Sequence, residues 1–315
     1  MSTDLSEKYL RFAQGLENGS IPPGYTVKAY VRSTGLRAAD SSTISALFYT
    51  SILTALAACT SETNQIIYVL PGHVEAVGTA LFTSAPTGVT ICGIGLPDTD
   101  GAPTLQWTAT ASNIAVAAKN TTIINLRMIA GANDITEAIT VTAAGFKLLN
   151  CHVDGGVTSA ADFISFLNFS TGANDGLVAG CTMRATVAAN AAATYIKPGA
   201  AVDNLRIIGN RLFGLSSSTT IGPIHVAAAA TNLLIAGNLV DAQTAASIGA
   251  ITFTDVAATG FCCDNYTGSL ANAVTITSQG VTTAGSTNIL VHFQQNYCSD
   301  GLKATSGVVA PALTT

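Results

Sequence analysis

Three arginines, a histidine and an aspartate in the middle of the chain are the residues best suited to chemistry: Arg127, His152, Asp154, Arg184 and Arg211. They form the best polar cluster in the chain, and a lyase needs a basic proton abstractor, usually with calcium held by clustered acids. Because 25 residues separate Arg127 from His152 and 30 separate Asp154 from Arg184, they can act together only if the fold joins those positions. Such a group is more commonly a ladder of polar surface side chains or a contact to a partner, and that is the interpretation favoured here over a catalytic site.

A repeated pattern supplies the required spacing. Between Val89 and Asn296, sets of alternating apolar positions end in Gly, Asn, Asp or Gln followed by one more residue. The closing residues are Ile94, Leu126, Cys151, Cys181, Asn210, Asn238, Asn265 and Asn296. Their separations range from 25 to 32 residues and average about 29, a period that indicates a solenoid.

Each repeat has the periodicity of strands and not of helices. Apolar residues alternate with others within each set, and a second alternating stretch follows, for example at Ile139/Val141 and Ile224/Val226. The pattern predicts an all-β, single-stranded parallel β-helix of about nine turns, stacked about 4.8 Å apart. In that fold Arg127 lies beside His152, and Asp154 is aligned with Arg184.

The regions at the two ends of the chain differ from the repeat. Residues 1–62 are expected to form an N-terminal docking and capping region with a short helix, a strand over 25–32 and a capping helix over 41–59. Residues 63–300 form the predicted β-helix, and 301–315 a C-terminal tail. Ser and Thr within 41–61, and the strand that follows directly, argue against a transmembrane helix there.

One outward-facing ladder of the predicted solenoid is largely apolar. Its members are Ile124, Leu149, Ala179, Ile208 and Ala236, with Leu177, Leu234 and Phe261 on the companion positions. Such a stripe exceeds what monomers usually expose, so side-by-side packing in a homotrimer is predicted. Coverage by a loop or by the terminal tail is the alternative.

Several other kinds of site receive little support. No two acids are predicted to share an outward column one or two turns apart, as the carboxylate pair of a glycosidase would require. Asp98 and Asp100 resemble half a calcium loop and are expected to form a turn. His73, His225 and His292 are isolated in sequence and are predicted to be structural. No metal, cofactor or catalytic residue is therefore assigned.

Composition narrows the possible partners and location. The net charge of −5 and the scattered basic residues predict no nucleic-acid partner, and no membrane partner is expected. The N-terminus carries no secretory signal pattern, so synthesis in a cytoplasm is predicted. The seven cysteines have irregular spacing and are expected to be reduced, although Cys151 and Cys181 could meet on adjacent turns.

The segments Tyr68–Glu75, Gly88–Gly95, Asn204–Asn210 and Asn232–Asn238 resemble the turns of the pectate-lyase-like β-helix family. This resemblance covers about residues 40–300 and implies a right-handed β-helix. The catalytic acids and base of the lyases have no matching positions, so none is carried over.

The low charge and the Ala/Thr/Gly-rich rod are also similar to tailed-bacteriophage virion proteins, such as head decoration proteins and tailspikes. This resemblance favours a non-enzymatic, trimeric capsid decoration protein located in the virion and bound to the major capsid protein or other virion proteins. The alternative is a tailspike or fibre segment that binds a host surface and degrades a polysaccharide.

Overall fold

The computed structural model describes residues 24–32, 48–78, 86–156, 161–185, 192–214, 221–242, 250–254, 257–268, 281–283 and 290–298. Over these ranges the regular secondary structure is nearly all β-strand, and it forms a parallel β-solenoid with three sheets of eleven, nine and seven strands. The predicted helix near residues 8–17 and the tail 301–315 lie outside the described residues.

The strands of each sheet come from successive turns. The eleven-stranded sheet contains β1 (Thr26–Val31), β2 (Phe48–Tyr49), β3 (Gln65–Val69), β5 (Thr90–Gly93), β8 (Thr122–Ile124), β11 (Lys147–Leu149), β14 (Leu177–Ala179), β17 (Arg206–Ile208), β20 (Leu233–Ala236), β23 (Thr259–Cys263) and β26 (Leu290–Gln294). The nine-stranded sheet contains β4 (Val74–Val77), β6 (Thr104–Trp107), β9 (Arg127–Ala130), β12 (His152–Asp154), β15 (Thr182–Arg184), β18 (Arg211–Gly214), β21 (Leu239–Ala242), β24 (Tyr266–Gly268) and β27 (Tyr297–Cys298). The seven-stranded sheet contains β7 (Ile114–Val116), β10 (Ile135–Val141), β13 (Phe163–Phe169), β16 (Thr194–Pro198), β19 (Ile224–Val226), β22 (Ile251–Phe253) and β25 (Val281–Thr283).

The corner between the eleven-stranded and nine-stranded sheets explains why each repeated set of the sequence ends in Gly, Asn, Asp or Gln. One residue per turn adopts a left-handed backbone conformation there, with φ between 48° and 65°. The residues are Asn125, Asn150, Gly180, Gly209, Gly237, Asp264 and Gln295. Glycine meets no Cβ penalty in this region, and Asn and Asp tolerate it better than other residues. The corner therefore holds the register of every following strand.

A buried asparagine ladder follows that corner over the last turns. Nδ2 of Asn210 donates to Oδ1 of Asn238 at 3.0 Å, Asn238 donates to Asn265 at 2.9 Å, and Asn265 donates to Asn296 at 2.8 Å. Each oxygen also accepts the backbone N–H of the preceding asparagine. Because these amides are almost fully buried and satisfied by one another, the ladder holds successive turns together.

Aromatic side chains fill the wide part of the core. Trp107 lies edge-on to Phe163, with ring centroids 5.5 Å apart, and Phe163 lies edge-on to Phe166 at 5.4 Å. The indole Nε1 of Trp107 donates to the carbonyl oxygen of Ala138 at 2.8 Å, so the single tryptophan is buried without an unsatisfied donor.

The solenoid is shorter than the sequence suggested. The seven strands of the smallest sheet are separated by six steps, so the three-sided part completes about six turns and not nine. At the N-terminal end the eleven-stranded sheet extends further, because β1 pairs in parallel with β3. Part of the region expected to lie outside the solenoid therefore belongs to its sheet.

The helix predicted over residues 41–59 is wrong in extent, and a helical cap is not shown. Within its described part, Phe48–Tyr49 forms β2 against β1, and the helix α1 covers only Ile52–Ala57. Phe48 stacks on Tyr30 at 5.3 Å, which favours the extended pairing. The Ser51 side chain then accepts the N–H of Thr54 and starts the helix there. No helix among the described residues is long and apolar enough to cross a membrane.

Candidate functional site

The outward face of the nine-stranded sheet brings the charged residues together. In parallel register, Arg127 is opposite His152, His152 opposite Thr182, and Thr182 opposite Arg211. Asp154 is opposite Arg184 in the neighbouring column. The residues between them point into the core and are fully buried: Met128, Val153, Met183 and Leu212. Strand alternation therefore places all five predicted residues on the outer surface.

Asp154 is the centre of this group. Its Oδ1 accepts hydrogen bonds of 2.9 Å from Nε2 of His152 and from Nε of Arg184. Its Oδ2 accepts from Nε of Arg127 at 3.0 Å and lies 2.9 Å from a terminal nitrogen of that guanidinium. One carboxylate thus joins side chains from three successive turns. We call Arg127, His152, Asp154 and Arg184 the Asp154 cluster.

The electrostatics of the cluster keep Asp154 ionised. Burial would raise the pKa of its carboxyl, but hydrogen bonds from His152 and Arg184, with the charges of His152 and Arg127, outweigh burial and hold the pKa well below its usual range. A carboxylate that is always ionised cannot serve as a general acid. The ionised carboxylate can only accept hydrogen bonds, so Nε2 of His152 carries a hydrogen; in a neutral ring, Nδ1 would then be the acceptor.

The cluster exposes mainly cationic groups. The side chains of His152 and Asp154 are 5% and 8% exposed, whereas those of Arg127 and Arg184 are 27% and 46% exposed. Arg211, one turn further along, is also exposed. A guanidinium fork matches a carboxylate or sulfate in shape and charge. The face therefore suits an anionic ligand, with the imidazole immediately beneath it.

Tyr195, which the sequence did not single out, lies close enough to Asp154 to interact with it electrostatically. Burial, with a smaller contribution from the Asp154 charge, raises the pKa of its phenol well above the usual range. Its hydroxyl has no hydrogen-bond partner among the described residues. The phenol therefore stays protonated beside the cluster.

A glycosidase-type pair of carboxylates is not present at the Asp154 cluster. The register carries the Asp154 column through Arg184 and Phe213 to another acid, Asp241. That is three turns from Asp154, or about 14 Å at 4.8 Å per turn. Paired catalytic carboxylates lie about 5 to 10 Å apart. The two acids are therefore too distant to act together.

A second polar network lies on the outer face of the seven-stranded sheet. Glu137 accepts from Asn168 at 2.9 Å and from Thr140 at 3.0 Å, and Nζ of Lys197 lies 3.7 Å from its Oε1. His225 follows Lys197 on the next turn, and burial lowers the pKa of its imidazole to about 4, with a smaller contribution from the Lys197 charge. Sequence spacing did not indicate this network because its members fall in the less regular second stretch of each repeat.

The remaining candidates occupy structural positions. His73 is not isolated: its Nε2 lies 2.8 Å from Oε2 of Glu75, which also accepts the N–H of Ile52 at the start of α1. Asp98 and Asp100 lie in an exposed turn. Across the described ranges, no three His, Cys, Asp or Glu side chains are grouped so that they could hold a metal ion. Cys151 and Cys181 are free thiols.

The predicted interface residues differ in accessibility. Ile124, Leu149 and Leu177 are already buried within the single chain, in a cluster that includes Tyr68. Ala236 is also buried, and Ala179, Ile208 and Leu234 are partly buried. Phe261 is 52% exposed and stacks on His292. The burial of the first three fits coverage within the chain, which was the alternative, and the homotrimer stays a prediction.

Comparison with known proteins found one similar solved structure. No protein-family model and no curated protein matches the chain. Among solved structures, an alginate lyase from Paenibacillus sp. str. FPU-7 matches at 15% identity and a TM-score of 0.32, over 78% of this chain and 95% of the lyase. At this level of similarity the match assigns no residue role and no substrate.

The leading functional prediction from the sequence is wrong. A non-enzymatic capsid decoration protein was expected, whereas the solved structure that matches is an alginate lyase, and nothing in the comparisons indicates a virion. The sequence already placed Arg127 beside His152 and Asp154 beside Arg184, but no position matched the catalytic acids and base of the lyases, so no catalytic role was assigned to this group. The alternative, action on a polysaccharide, is the one that we develop.

Proposed function

We propose that the chain acts on an acidic polysaccharide, which it binds on the outward face of the nine-stranded sheet and cleaves by β-elimination. The observation that carries the proposal is the Asp154 cluster: one ionised carboxylate that orients two partly exposed arginines and a histidine. The charge of this face favours an anionic polymer over a neutral one, since guanidinium groups bind carboxylates in a planar, charge-assisted geometry.

Each residue has a role that follows from its position. Arg184 and Arg127 would neutralise the carboxylate of a uronic acid residue, which makes the hydrogen on the adjacent ring carbon, C5, more acidic. Nδ1 of His152 would accept that proton while Asp154 stabilises the resulting imidazolium through Nε2. The electron pair of the C5–H bond forms the C4–C5 double bond as the C4–O bond breaks. A proton from water completes the leaving hydroxyl, and His152 returns its own proton to solvent.

A second candidate is a binding segment that holds the polysaccharide without cleaving it. Burial of His152 favours this candidate, because a substrate proton could reach the ring only after the site opens. A tailspike or fibre on a bacteriophage particle, assembled as a homotrimer and made in the host cytoplasm, would be such a protein. We propose the virion location and the homotrimeric assembly together with this second candidate function.

The experiment is to incubate the purified chain with acidic polysaccharides and with uncharged glucans as controls. β-Elimination gives ultraviolet absorbance from unsaturated uronate together with new reducing ends. We expect both signals with the acidic polysaccharides and neither signal with the uncharged glucans. Reducing ends without unsaturation would show hydrolysis and contradict the mechanism. Binding without any product would favour the second candidate, and neither binding nor product would remove both.

A further inference from the structure

The outward face of the eleven-stranded sheet changes from buried to exposed part of the way along the solenoid. One turn beyond Leu177, its register partner Arg206 is exposed, and two turns further Phe261 is 52% exposed. From β3 to β14, in contrast, six apolar side chains on this face are at most 4% exposed, and we call them the outer apolar stripe: Ile66, Tyr68, Cys92, Ile124, Leu149 and Leu177.

The outer apolar stripe points away from the solenoid core. Its residues alternate along the strands with members of the interior cluster: Ile67, Ile91, Ile123, Leu148 and Val178. The described apolar side chains that pack against the stripe lie in the same sheet or next to the end of one of its strands: Tyr25, Val27, Tyr30, Ile94, Ala179 and Ile208. Neighbours within one sheet cover each other's flanks and leave the outward ends open. The observed burial therefore requires a further segment that lies across the five strands.

The dimensions of the stripe fit one short helix. Between β3 and β14 there are four steps of about 4.8 Å, which gives a length of about 19 Å. A helix of 12 residues is about 18 Å long and about 10 Å wide. The stripe then offers roughly 190 Å² to an occupant, whereas a stable interface between two chains needs about 800 Å² from each. A single helix of the same chain therefore suits it better than a second copy.

Residues 5–16 have the required length and pattern. Leu5, Tyr9, Phe12 and Leu16 recur at the spacing of one helical face, while the opposite face is polar. The segment joins the described chain at Gly24, directly before β1, which pairs with β3 at the buried end of the stripe. The seven residues between Leu16 and Gly24 can span about 23 Å when extended, so the segment can reach the stripe.

Other segments of the chain fit the stripe less well. Residues 33–47 connect β1 to β2, and both strands lie at the edge of the sheet beyond β3. Residues 299–315 follow β27 at the opposite end of the solenoid, and the burial of this face is lost towards that end. The position of the buried region therefore favours the segment that precedes β1.

We infer that residues 5–16 dock as an amphipathic helix on the outer apolar stripe. An apolar helix face laid on a hydrophobic surface is a common mode of peptide recognition, and here both partners belong to one chain. The chain thereby closes its own apolar face from β3 to β14. Only the part beyond Leu177 is left open to another molecule. This inference does not depend on the proposed function.

A natural thiol on the stripe makes the inference testable in the full-length chain. Cys92 belongs to the outer apolar stripe, whereas Cys151 and Cys181 lie in the interior cluster, and all three are free. Labelling with a maleimide, followed by peptide mass spectrometry, gives the reaction rate of each thiol separately. The two interior thiols therefore report on global unfolding in the same experiment.

The variants place one charge on either face of the segment. Phe12→Asp and Leu16→Asp introduce it on the apolar face, and Gln14→Asp introduces the same carboxylate on the polar face as the matched control. Leu313→Asp introduces it in the C-terminal tail. Wild-type protein labelled over a hundredfold range of concentration tests for a second copy of the chain.

We expect all three thiols of the wild type to be protected at every concentration. Phe12→Asp and Leu16→Asp should raise the labelling rate of Cys92 at least tenfold while Cys151 and Cys181 stay protected, because the cover opens locally. Gln14→Asp and Leu313→Asp should react as the wild type does.

Several results would overturn the inference. One is a Cys92 rate that neither apolar-face variant changes, or that Gln14→Asp raises as much. Selective release of Cys92 by Leu313→Asp would assign the cover to the tail, and faster labelling of the wild type on dilution would assign it to a second copy.

A variant that simply unfolds is recognised because its three thiols react together. Phe12→Ala and Leu16→Ala then replace the aspartate variants, and we expect each to raise the Cys92 rate about threefold or more without exposing the interior thiols. An unchanged Cys92 rate in both alanine variants would also overturn the inference.

Discussion

Nε of Arg184 donates a hydrogen bond of 2.9 Å to Oδ1 of Asp154, and the two residues are register partners on adjacent turns of the nine-stranded sheet. The bond therefore joins two turns and also fixes a cation on the outer surface. Since Arg127 approaches the other carboxylate oxygen from the preceding turn, a single aspartate organises three turns of the face. The predictions below follow from this arrangement and from the interior that supports it.

Asp154→Asn should destabilise the fold and abolish activity. The amide retains one acceptor oxygen but presents an NH₂ group to donors on His152 or the arginines, so at least one buried charge-assisted bond is lost. We expect the free energy of unfolding at neutral pH to fall by about 2 to 3 kcal/mol. Chemical denaturation measures it, with Asp98→Asn in an exposed turn as the control. An equal effect of the two substitutions would contradict this role.

Arg184→Ala should weaken binding of an acidic polysaccharide with little change in stability. The side chain is 46% exposed, so its ion pair with Asp154 adds little to folding, on the order of 1 kcal/mol or less. We expect affinity to fall about tenfold or more and to become less dependent on salt. Arg206→Ala, at an exposed position on the eleven-stranded sheet, is the matched control. Comparable losses in both variants would show only a general charge effect.

Asn238→Ala should be strongly destabilising. The Asn238 side chain accepts two hydrogen bonds from Asn210 and donates to Asn265 and to the carbonyl of Ile207. Its removal leaves the buried backbone N–H of Asn210 without its acceptor and breaks the amide ladder at this turn, which costs about 2 to 4 kcal/mol. Asn232→Gly is the control, because Asn232 is exposed with φ +53° and glycine adopts that conformation freely. A loss under 1 kcal/mol at Asn238 would refute the ladder's role.

His225 should make stability depend on pH in the mildly acidic range. Burial lowers the pKa of its imidazole to about 4, below the ordinary value of about 6.5. Between these values the unfolded chain binds the proton and the folded chain does not, so stability is complete above about pH 6.5 and is lost as the pH falls towards 4.

The melting temperature of wild type and His225→Gln, followed from pH 7 to pH 4, checks this dependence. We expect a shallower decline in the variant through that window. Asp154 does not contribute to the decline between pH 7 and pH 4. Because its pKa is lowered in the folded chain, its contribution to stability is complete above about pH 4 and is lost only below that pH. Parallel declines in the two proteins would contradict the assignment to His225.

Much of the fold could be predicted from the sequence because the corner residues recur. The left-handed position between the two larger sheets accepts few residue types, so Asn125, Asn150 and Gly180 mark each turn and keep the following strands in register. That regularity allowed the sequence to align Asp154 with Arg184. The asparagine ladder occupies the closing positions of the last four sets, which the sequence analysis used only to measure the length of the repeat.

The less regular parts could not be predicted in the same way. The polar network around Glu137 was not predicted, because its members fall in the less regular second stretch of each repeat. The pairing of Phe48 with Tyr30 overrode the helical pattern of residues 41–59, and local propensity carries no information about such a partner. The functional prediction rested on low overall charge and an Ala/Thr/Gly-rich composition, and neither shows that the charged side chains are concentrated on one face of the solenoid.

The most direct test of the central claim compares wild type and Arg184→Ala on an acidic polysaccharide while ultraviolet absorbance reports unsaturated uronate. We predict that the wild type generates the product, that the variant does so at least tenfold more slowly, and that Arg206→Ala matches the wild type. Absence of unsaturated product from every acidic polymer, or full activity of Arg184→Ala, would contradict the proposal that the Asp154 cluster cleaves the chain.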